Sequence, residues 1–207
     1  MFEKKDIDPL REKISLLMSP FRLAHTLGVE QMALKIGSIF APEKSDLLSA
    51  AALLHDITKE KTLENQLQIC EKLGIITLSA TKASPKTLHA ITAAALIPSE
   101  FPLFAENEVI SAVRWHTTGR ENMTLCEKII YLADYIEEGR TYSDCVDLRK
   151  YFFSADLEKM NESERERHLD MTLILSFDMT IKQLLCEGVC IAPETNEARN
   201  SLILNVK

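Results

Sequence analysis

Glycine and proline are scarce in this sequence of 207 residues, at six and seven respectively. No repeat, low-complexity stretch or linker interrupts the chain. Long apolar runs are missing too. None approaches the roughly 20 residues of a membrane span, and the opening MFEKKDIDPL lacks the apolar stretch of a signal peptide. Basic charge is in deficit: 24 lysines and arginines face 31 acidic side chains, a net charge of −7. That balance argues against broad binding to nucleic acid or to an anionic membrane. Cysteine pairs are absent. The five cysteines (Cys70, Cys126, Cys145, Cys186 and Cys190) are odd in number and form no CxxC. Cys186 and Cys190 have no neighbouring histidines and read as buried thiols, not a metal site. A reduced, soluble, cytoplasmic protein is expected. With 46% hydrophobic and 27% charged residues, the composition is that of an ordinary globular protein. A chain of this length buries about 70% of its unfolded surface and needs no disulfide.

What is present is helical. Asp8-Pro9, Ser19-Pro20 and Ser84-Pro85 each offer a capping oxygen followed by proline at the first helical position. Thr124 with Glu127, and Ser163 with Glu166, have capping-box spacing; Thr62 and Thr195 read as simpler caps. Gly74, Gly139 and Gly188 stand where helix C-termini want a residue tolerant of positive φ. Between these marks the apolar period is that of a helix: Leu10, Ile14 and Leu17 share one face, as do Val29, Met32, Ile36 and Ile39. Residues 45–58 are apolar almost all round, which predicts a central, buried helix. Residues 163–187 predict a long amphipathic one. The only strand-like run, residues 74–78, is too short to build a sheet. The fold class is all-α, a single domain over 1–207. Its motif-bearing core spans about 20–150, and C-terminal helices over about 155–207 pack on it.

The chemistry sits in a few histidines and acids. His55 and Asp56 are adjacent at the end of the buried helix. A charged aspartate there costs several kcal/mol in desolvation unless something pairs it, and a divalent cation answers that cost. Alone, such a pair is more often a helix-end acid beside a core histidine. It gains meaning from His25, on the helix following Arg22, and from Asp134, within the apolar helical stretch 131–135. Two imidazoles and two carboxylates from three buried segments suit a borderline transition metal such as Fe, Mn, Co or Zn. Such an ion lowers the pKa of a bound water towards neutrality and polarises an attacked phosphorus.

The pattern of a histidine, a His-Asp pair and a distant aspartate resembles that of the HD-domain metal-dependent phosphohydrolases. More narrowly the sequence is similar to the YqeK family, the symmetrical bis(5′-nucleosyl)-tetraphosphatases. The segments that carry the likeness are Arg22 with His25-Thr26-Leu27-Gly28, His55-Asp56-Ile57-Thr58-Lys59-Glu60, Leu88-His89, His116-Thr117-Thr118-Gly119-Arg120, Ala133-Asp134-Tyr135-Ile136-Glu137, and Arg140. The stretch from Thr195 to Asn200 also fits. The departures are Ala93, where a glycine is expected, and Glu138, where a proline is usual.

The resemblance implies an HD-domain helical bundle with its metal site in the core, held by His25, His55, Asp56 and Asp134, with iron the first expectation. It implies cleavage of diadenosine tetraphosphate into two ADP by a metal-activated hydroxide attacking an inner phosphorus. Asp56, Lys59, His89 and His116 are then catalytic, with Arg22, Lys59, His89, His116, Thr117, Asp134 and Arg140 around the nucleotide. An acidic chain needs locally basic residues to accept a polyphosphate; Arg22, Lys59, Arg114, Arg120 and Arg140 are the candidates. Lys59 falls one turn beyond His55 if the helix continues. His89 and His116 are expected as phosphate ligands or as proton donors to the leaving ADP. A second metal beside them is the less favoured alternative, and His89 also reads blandly as a half-buried surface histidine. Thr117-Thr118-Gly119 could form an anion-binding turn. His168, in a charged run, is expected on a solvated helix face. Other nucleotides, among them guanosine tetraphosphate and nucleoside monophosphates, are alternative substrates. A nucleotide-sensing module is the non-enzymatic alternative, and a homodimer stays open.

Overall fold

Helices form here where an apolar stripe meets a cap. In the computed structural model, which describes residues 2–76 and 85–206, ten α-helices follow one another with no strand among the described residues. They are α1 (Lys4–Ser15), α2 (Pro20–Phe40), α3 (Ser45–Leu54), α4 (Leu63–Lys72), α5 (Leu88–Glu100), α6 (Asn107–Trp115), α7 (Leu125–Ile136), α8 (Ser143–Ser154), α9 (Glu162–Glu187) and α10 (Pro193–Val206). The all-α class expected from the sequence holds. None of the helices is long and apolar enough to cross a membrane, among the described residues.

Several caps fall as the sequence predicts. The Ser19 hydroxyl accepts from the Arg22 amide at 3.2 Å at the start of α2. Thr62 caps α4, and Thr124 and Glu127 form the reciprocal box that opens α7. Gly74 and Gly188 take φ of 65° and 66° past the ends of α4 and α9. Other boundaries move. α1 starts ahead of Asp8-Pro9, because Glu3 and Asp6 close a capping box there, and Pro9 sits inside the helix on its exposed side. α9 is capped by Asn161 with Glu164 rather than by Ser163 with Glu166; the same spacing occurs twice, and the earlier copy adds two residues of helix. α10 begins at Pro193, which needs no amide partner at a first position, so Thr195 lies within it, buried. Gly139 does not adopt positive φ: α7 ends at Ile136, where Glu137 turns extended. Leu17 is exposed, unlike Leu10 and Ile14. Of the strand-like run, Gly74 to Ile76 are not strand and the rest lies outside the described residues, as does Ser84.

The centre is α3, whose residues from Leu47 to Leu54 are all buried. α1, α2, α6 and α7 all pack against it; α2 also meets α7, and α5 lies against α6. Ile36, Leu48, Leu53, Leu54, Ile129, Ile130 and Leu132 are fully buried in this core, each side chain stabilising the fold by roughly 1.5–3 kcal/mol. α9 packs across α7, α8 and α10, with the Tyr131 and Phe177 rings 4.5 Å apart. The hydrophobic core is continuous from Phe2 to Leu202.

Candidate metal centre

Each side chain of the centre is presented where a helix starts or stops. The Ser19 cap and Pro20 start α2 so that Arg22 and His25 lie on its first two turns. α3 ends at Leu54, and His55 to Glu60 continue as successive turns, with the Lys59 amide bonded to the Asp56 carbonyl at 2.9 Å. Lys59 therefore reaches the centre from this turn and not along a continued helix. The Thr58 hydroxyl donates to the His89 carbonyl at 2.8 Å, tying the turn to α5. His116 follows the last residue of α6, and Asp134 lies in the last turn of α7.

Four imidazoles form a row. The ring centroids of His25 and His55 are 5.6 Å apart, those of His55 and His116 4.9 Å, and those of His116 and His89 5.0 Å. Asp56 lies along the row: its Oδ2 is 3.4 Å from His55 Nε2 and 3.8 Å from His25 Nε2. Its Oδ1 is 3.1 Å from His89 Nε2 and 3.6 Å from His116 Nε2. Asp134 Oδ1 is 3.0 Å from His25 Nε2. His55, Asp56, His89 and His116 are buried, His89 against its bland reading as a half-buried surface histidine.

The far nitrogens set the tautomers. His55 Nδ1 is 2.6 Å from the Ala52 carbonyl, His116 Nδ1 is 2.7 Å from the Val113 carbonyl, and His25 Nδ1 is 3.1 Å from Glu137 Oε1. Each of these acceptors calls for a proton on Nδ1 and leaves Nε2 as a lone pair aimed into the centre, the arrangement of a metal-ligating histidine. The buried atoms His25 Nε2, His55 Nε2 and Asp56 Oδ1 have no hydrogen-bond partner among the described residues. Orphaned buried acceptors are costly. His25 Nε2 and Asp134 Oδ1, at 3.0 Å, are close enough to share one ion. His25, His55 and Asp134 form one group able to hold a divalent ion; His55, Asp56 and His116 form another. The residues present fit a divalent cation.

Electrostatics point the same way. Burial works against the charged form of Asp56, yet His55, His116 and His89 hold its carboxyl well below the usual range. Asp134 is likewise held well down against burial, by Arg140, His25 and His55. Burial alone would lower His55, but Asp56 and Asp134 raise it. Desolvation pushes His89 down to about 4, with Lys59 and His116 adding to the effect. Burial also lowers Lys59, whose Nζ is 3.2 Å from His89 Nε2.

Cations ring the acids. Arg22 donates to Asp56 Oδ2 at 2.6 Å, and Arg140 donates to both the side chain and the carbonyl of Asp134 at 2.5 Å. Arg114 and Arg120, also candidates, are engaged elsewhere: Arg114 stacks over Trp115 at 3.9 Å, and Arg120 binds the buried Glu127 at 2.9 Å. Thr117 Oγ1 is buried without a partner among the described residues, next to Gly119 with φ of 63°. His168 corrects the expectation of a solvated face: it is half-buried, stacked on Tyr151 and Phe152, and 3.1 Å from the Phe152 carbonyl. Cys186 and Cys190 are exposed, not buried, because the helix end that carries them faces solvent.

One functional side chain carries no role in the sequence reading. Glu137 orients His25, and two glycines make its place: a Cβ on Gly28 would fall 2.6 Å from Glu137 Oε2, and one on Gly139 2.9 Å from it. The Gly139 amide donates to the same oxygen at 2.5 Å. Arg149 pins the segment by donating to the carbonyls of Ile136, at 2.6 Å, and Arg140, at 2.9 Å. The signal was an acid one helical turn beyond Asp134. One cavity meets the row of histidines and another lies by the turn after His116. One, of about 700 Å³, opens beside His25; the other, of about 340 Å³, is lined by Thr87, Thr117, Thr118 and Thr195.

Comparison with known proteins agrees with this geometry. Residues 22–139 match the family model described as the HD domain. The chain is 30% identical over 188 residues to a Bacillus subtilis protein named bis(5′-nucleosyl)-tetraphosphatase, symmetrical, covering 90% of this chain and 91% of that one. A Staphylococcus aureus protein of the same name is 38% identical over 130 residues, covering 62% and 64% of the two chains. A crystal structure from Clostridium acetobutylicum, described as a predicted HD superfamily hydrolase involved in NAD metabolism, superposes with a TM-score of 0.83. It is 31% identical and covers 99% of this chain and 98% of its own.

Proposed function

Because the chain belongs to the HD-domain family, we propose that it is a metal-dependent hydrolase of nucleotide phosphoanhydrides that splits diadenosine tetraphosphate symmetrically into two ADP. The observation that carries this reading is the convergence of His25, His55, Asp56 and Asp134, with His25 Nε2, His55 Nε2 and Asp56 Oδ1 unpartnered, ringed by Arg22, Lys59 and Arg140. The named relatives support the substrate. The four central residues would hold one divalent ion; a mixed nitrogen and oxygen set suits Fe, Mn, Co or Zn, and iron is the first to test. When bound, the ion supplies Lewis acidity and an activated water for attack on phosphorus.

The remaining work falls to this chain's own side chains. Arg22 and Arg140 place guanidinium groups at the rim, where charge-assisted hydrogen bonds to phosphate contribute about 1.5–3 kcal/mol each. Lys59 adds a cation deeper in, beside His89. Burial favours the neutral form of His89, which enters as a hydrogen-bond donor rather than as an imidazolium; with Thr117 it would bind the phosphate that departs with ADP, while His116, its Nε2 a lone pair, belongs with the ligating groups.

Purified protein loaded with each metal should convert diadenosine tetraphosphate to ADP as the only early product. Equal amounts of ATP and AMP would overturn the symmetrical assignment. His55→Ala and Asp56→Ala should lose both bound metal and turnover; full metal occupancy in both would overturn the centre. A second reading, two ions sharing Asp56, is favoured by one observation: His89 and His116 Nε2 are 3.1 Å apart and both near Asp56 Oδ1. Elemental analysis separates the two. One ion per chain supports the first reading; two, falling to one in His89→Ala, support the second.

A further inference from the structure

We propose that the cavity beside His25 receives the second nucleoside of a dinucleoside polyphosphate, its base stacking on Phe21 and Tyr142. This rests on the substrate reading above and deepens it by assigning a distal subsite. The cavity, of about 700 Å³, has room for a nucleoside and its sugar, and it runs from His25 and the two rim arginines outward. Its walls are the first turns of α2 and the segment joining α7 to α8. Each wall repeats one arrangement. On α2, Arg22 turns inward to Asp56 while its neighbour Phe21 stands 79% exposed. On the opposite wall Arg140 turns inward to Asp134 while Tyr142, two residues on, stands 70% exposed.

These are the two most exposed aromatic side chains among the described residues, in a chain with only 6% aromatics, and both line this one cavity. Scattered exposed apolar residues need no explanation, but a convergent pair at the mouth of a site does. The order along the groove, from metal-ligating side chains through guanidinium groups to aromatic faces, is that of a nucleotide read from phosphate to base. Every base has a π-face, so stacking holds a nucleoside without selecting it by hydrogen bonds. Gln31, exposed on the outer wall, is placed for an edge contact. The second cavity, lined by Thr117 and Thr118 of the turn after His116, leaves room for the other nucleoside.

The test compares diadenosine tetraphosphate with adenosine 5′-tetraphosphate, which has one base, on wild-type, Phe21→Ala, Tyr142→Ala and Tyr142→Phe metal-loaded proteins. Each alanine variant should raise KM for the dinucleoside about tenfold with kcat within twofold, while KM for adenosine 5′-tetraphosphate stays within twofold. Tyr142→Phe should keep wild-type values, and metal content and Tm should be unchanged, since both side chains face solvent. An unchanged KM for the dinucleoside, or equal losses on the two substrates, overturns the subsite and leaves the functional reading standing. Wild-type protein that leaves diadenosine tetraphosphate intact overturns that reading and this inference together.

Discussion

One missing methyl group decides whether Glu137 reaches His25. The carboxylate fills space left by Gly28 and Gly139, and it fixes the His25 proton on Nδ1. Gly28→Ala should push Glu137 off that nitrogen and weaken metal binding by about 10–100-fold, the usual loss when such a supporting partner goes. Glu137→Gln, which keeps an acceptor oxygen of the same reach, should lose less. Chelator competition on both variants, with Tm recorded on the metal-free proteins, separates a lost orientation from a lost fold; wild-type affinity in Gly28→Ala would refute the role. At the same scale the cysteines differ sharply. Burial, with Glu108 and Glu127 adding to it, pushes the Cys126 thiol up to about 11. At pH 8 only about one such thiol in a thousand is ionised, and only the thiolate reacts. Alkylation of native protein at pH 8 should therefore mark Cys186 and Cys190 and spare Cys70, Cys126 and Cys145 until the chain is unfolded, as mass spectrometry would read. His25, His55, Asp56 and Asp134 were legible in the sequence because charged or ligating groups stood on segments that otherwise want to be buried. Glu137 was not, since its meaning lies in His25 and Gly28, which only the fold brings beside it.

Helix types and cores were easier to read than helix ends. The apolar run that became α3 and the long stripe of α9 are large signals that tertiary packing reinforces. Ends are decided by single competing caps, so Glu3 with Asp6 displaced Asp8-Pro9, and Asn161 displaced Ser163. The turn after α3 shows the functional consequence. Had the helix continued, Lys59 would sit one turn along its face; stopping at Leu54 folds Lys59 back towards His89. Gly119 and Gly188 test what a positive φ is worth at two helix ends of different packing. Around Gly188 nothing lies within 4 Å of an added Cβ, whereas at Gly119 it would meet Phe177 Cζ at 2.6 Å and Ala198 Cβ at 2.8 Å. Gly188→Ala should then cost only the left-handed backbone penalty, about 1–2 kcal/mol. Gly119→Ala should add overpacking, for a total on the order of 2–5 kcal/mol. With each 1 kcal/mol worth roughly 2–4 °C at this chain length, thermal denaturation should place Gly119→Ala well below Gly188→Ala. Equal Tm values would show that the loop after His116 yields without strain.

At the scale of the whole molecule, every side chain of the centre precedes residue 141, yet the centre is not self-supporting. α7 carries Asp134 and, one turn earlier, lays Tyr131 against Phe177 of α9. Lys128 on the same helix is bound to Asp170 of α9 at 2.5 Å, both largely buried. The turn after His116 rests on Phe177 and Ala198, which leave Gly119 no room for a side chain. Removing residues 155–207 would expose the Tyr131 ring, strip Lys128 of its partner, and uncover the floor of the Thr117–Gly119 turn. The lost Tyr131–Phe177 contact, the orphaned Lys128 and the uncovered turn together take up much of a stability of about 5–15 kcal/mol. The fragment 1–154 should therefore fail to unfold cooperatively, bind a hydrophobic dye, and hold no metal at an equimolar chelator concentration, although it retains His25, His55, Asp56 and Asp134. The full chain should unfold in one transition that metal shifts upward by mass action. A fragment with a sharp thermal transition and wild-type metal content would instead make the C-terminal helices a cover added to a core that folds alone. Calorimetry and elemental analysis on the two proteins decide between a centre built by the whole bundle and one built by its first eight helices.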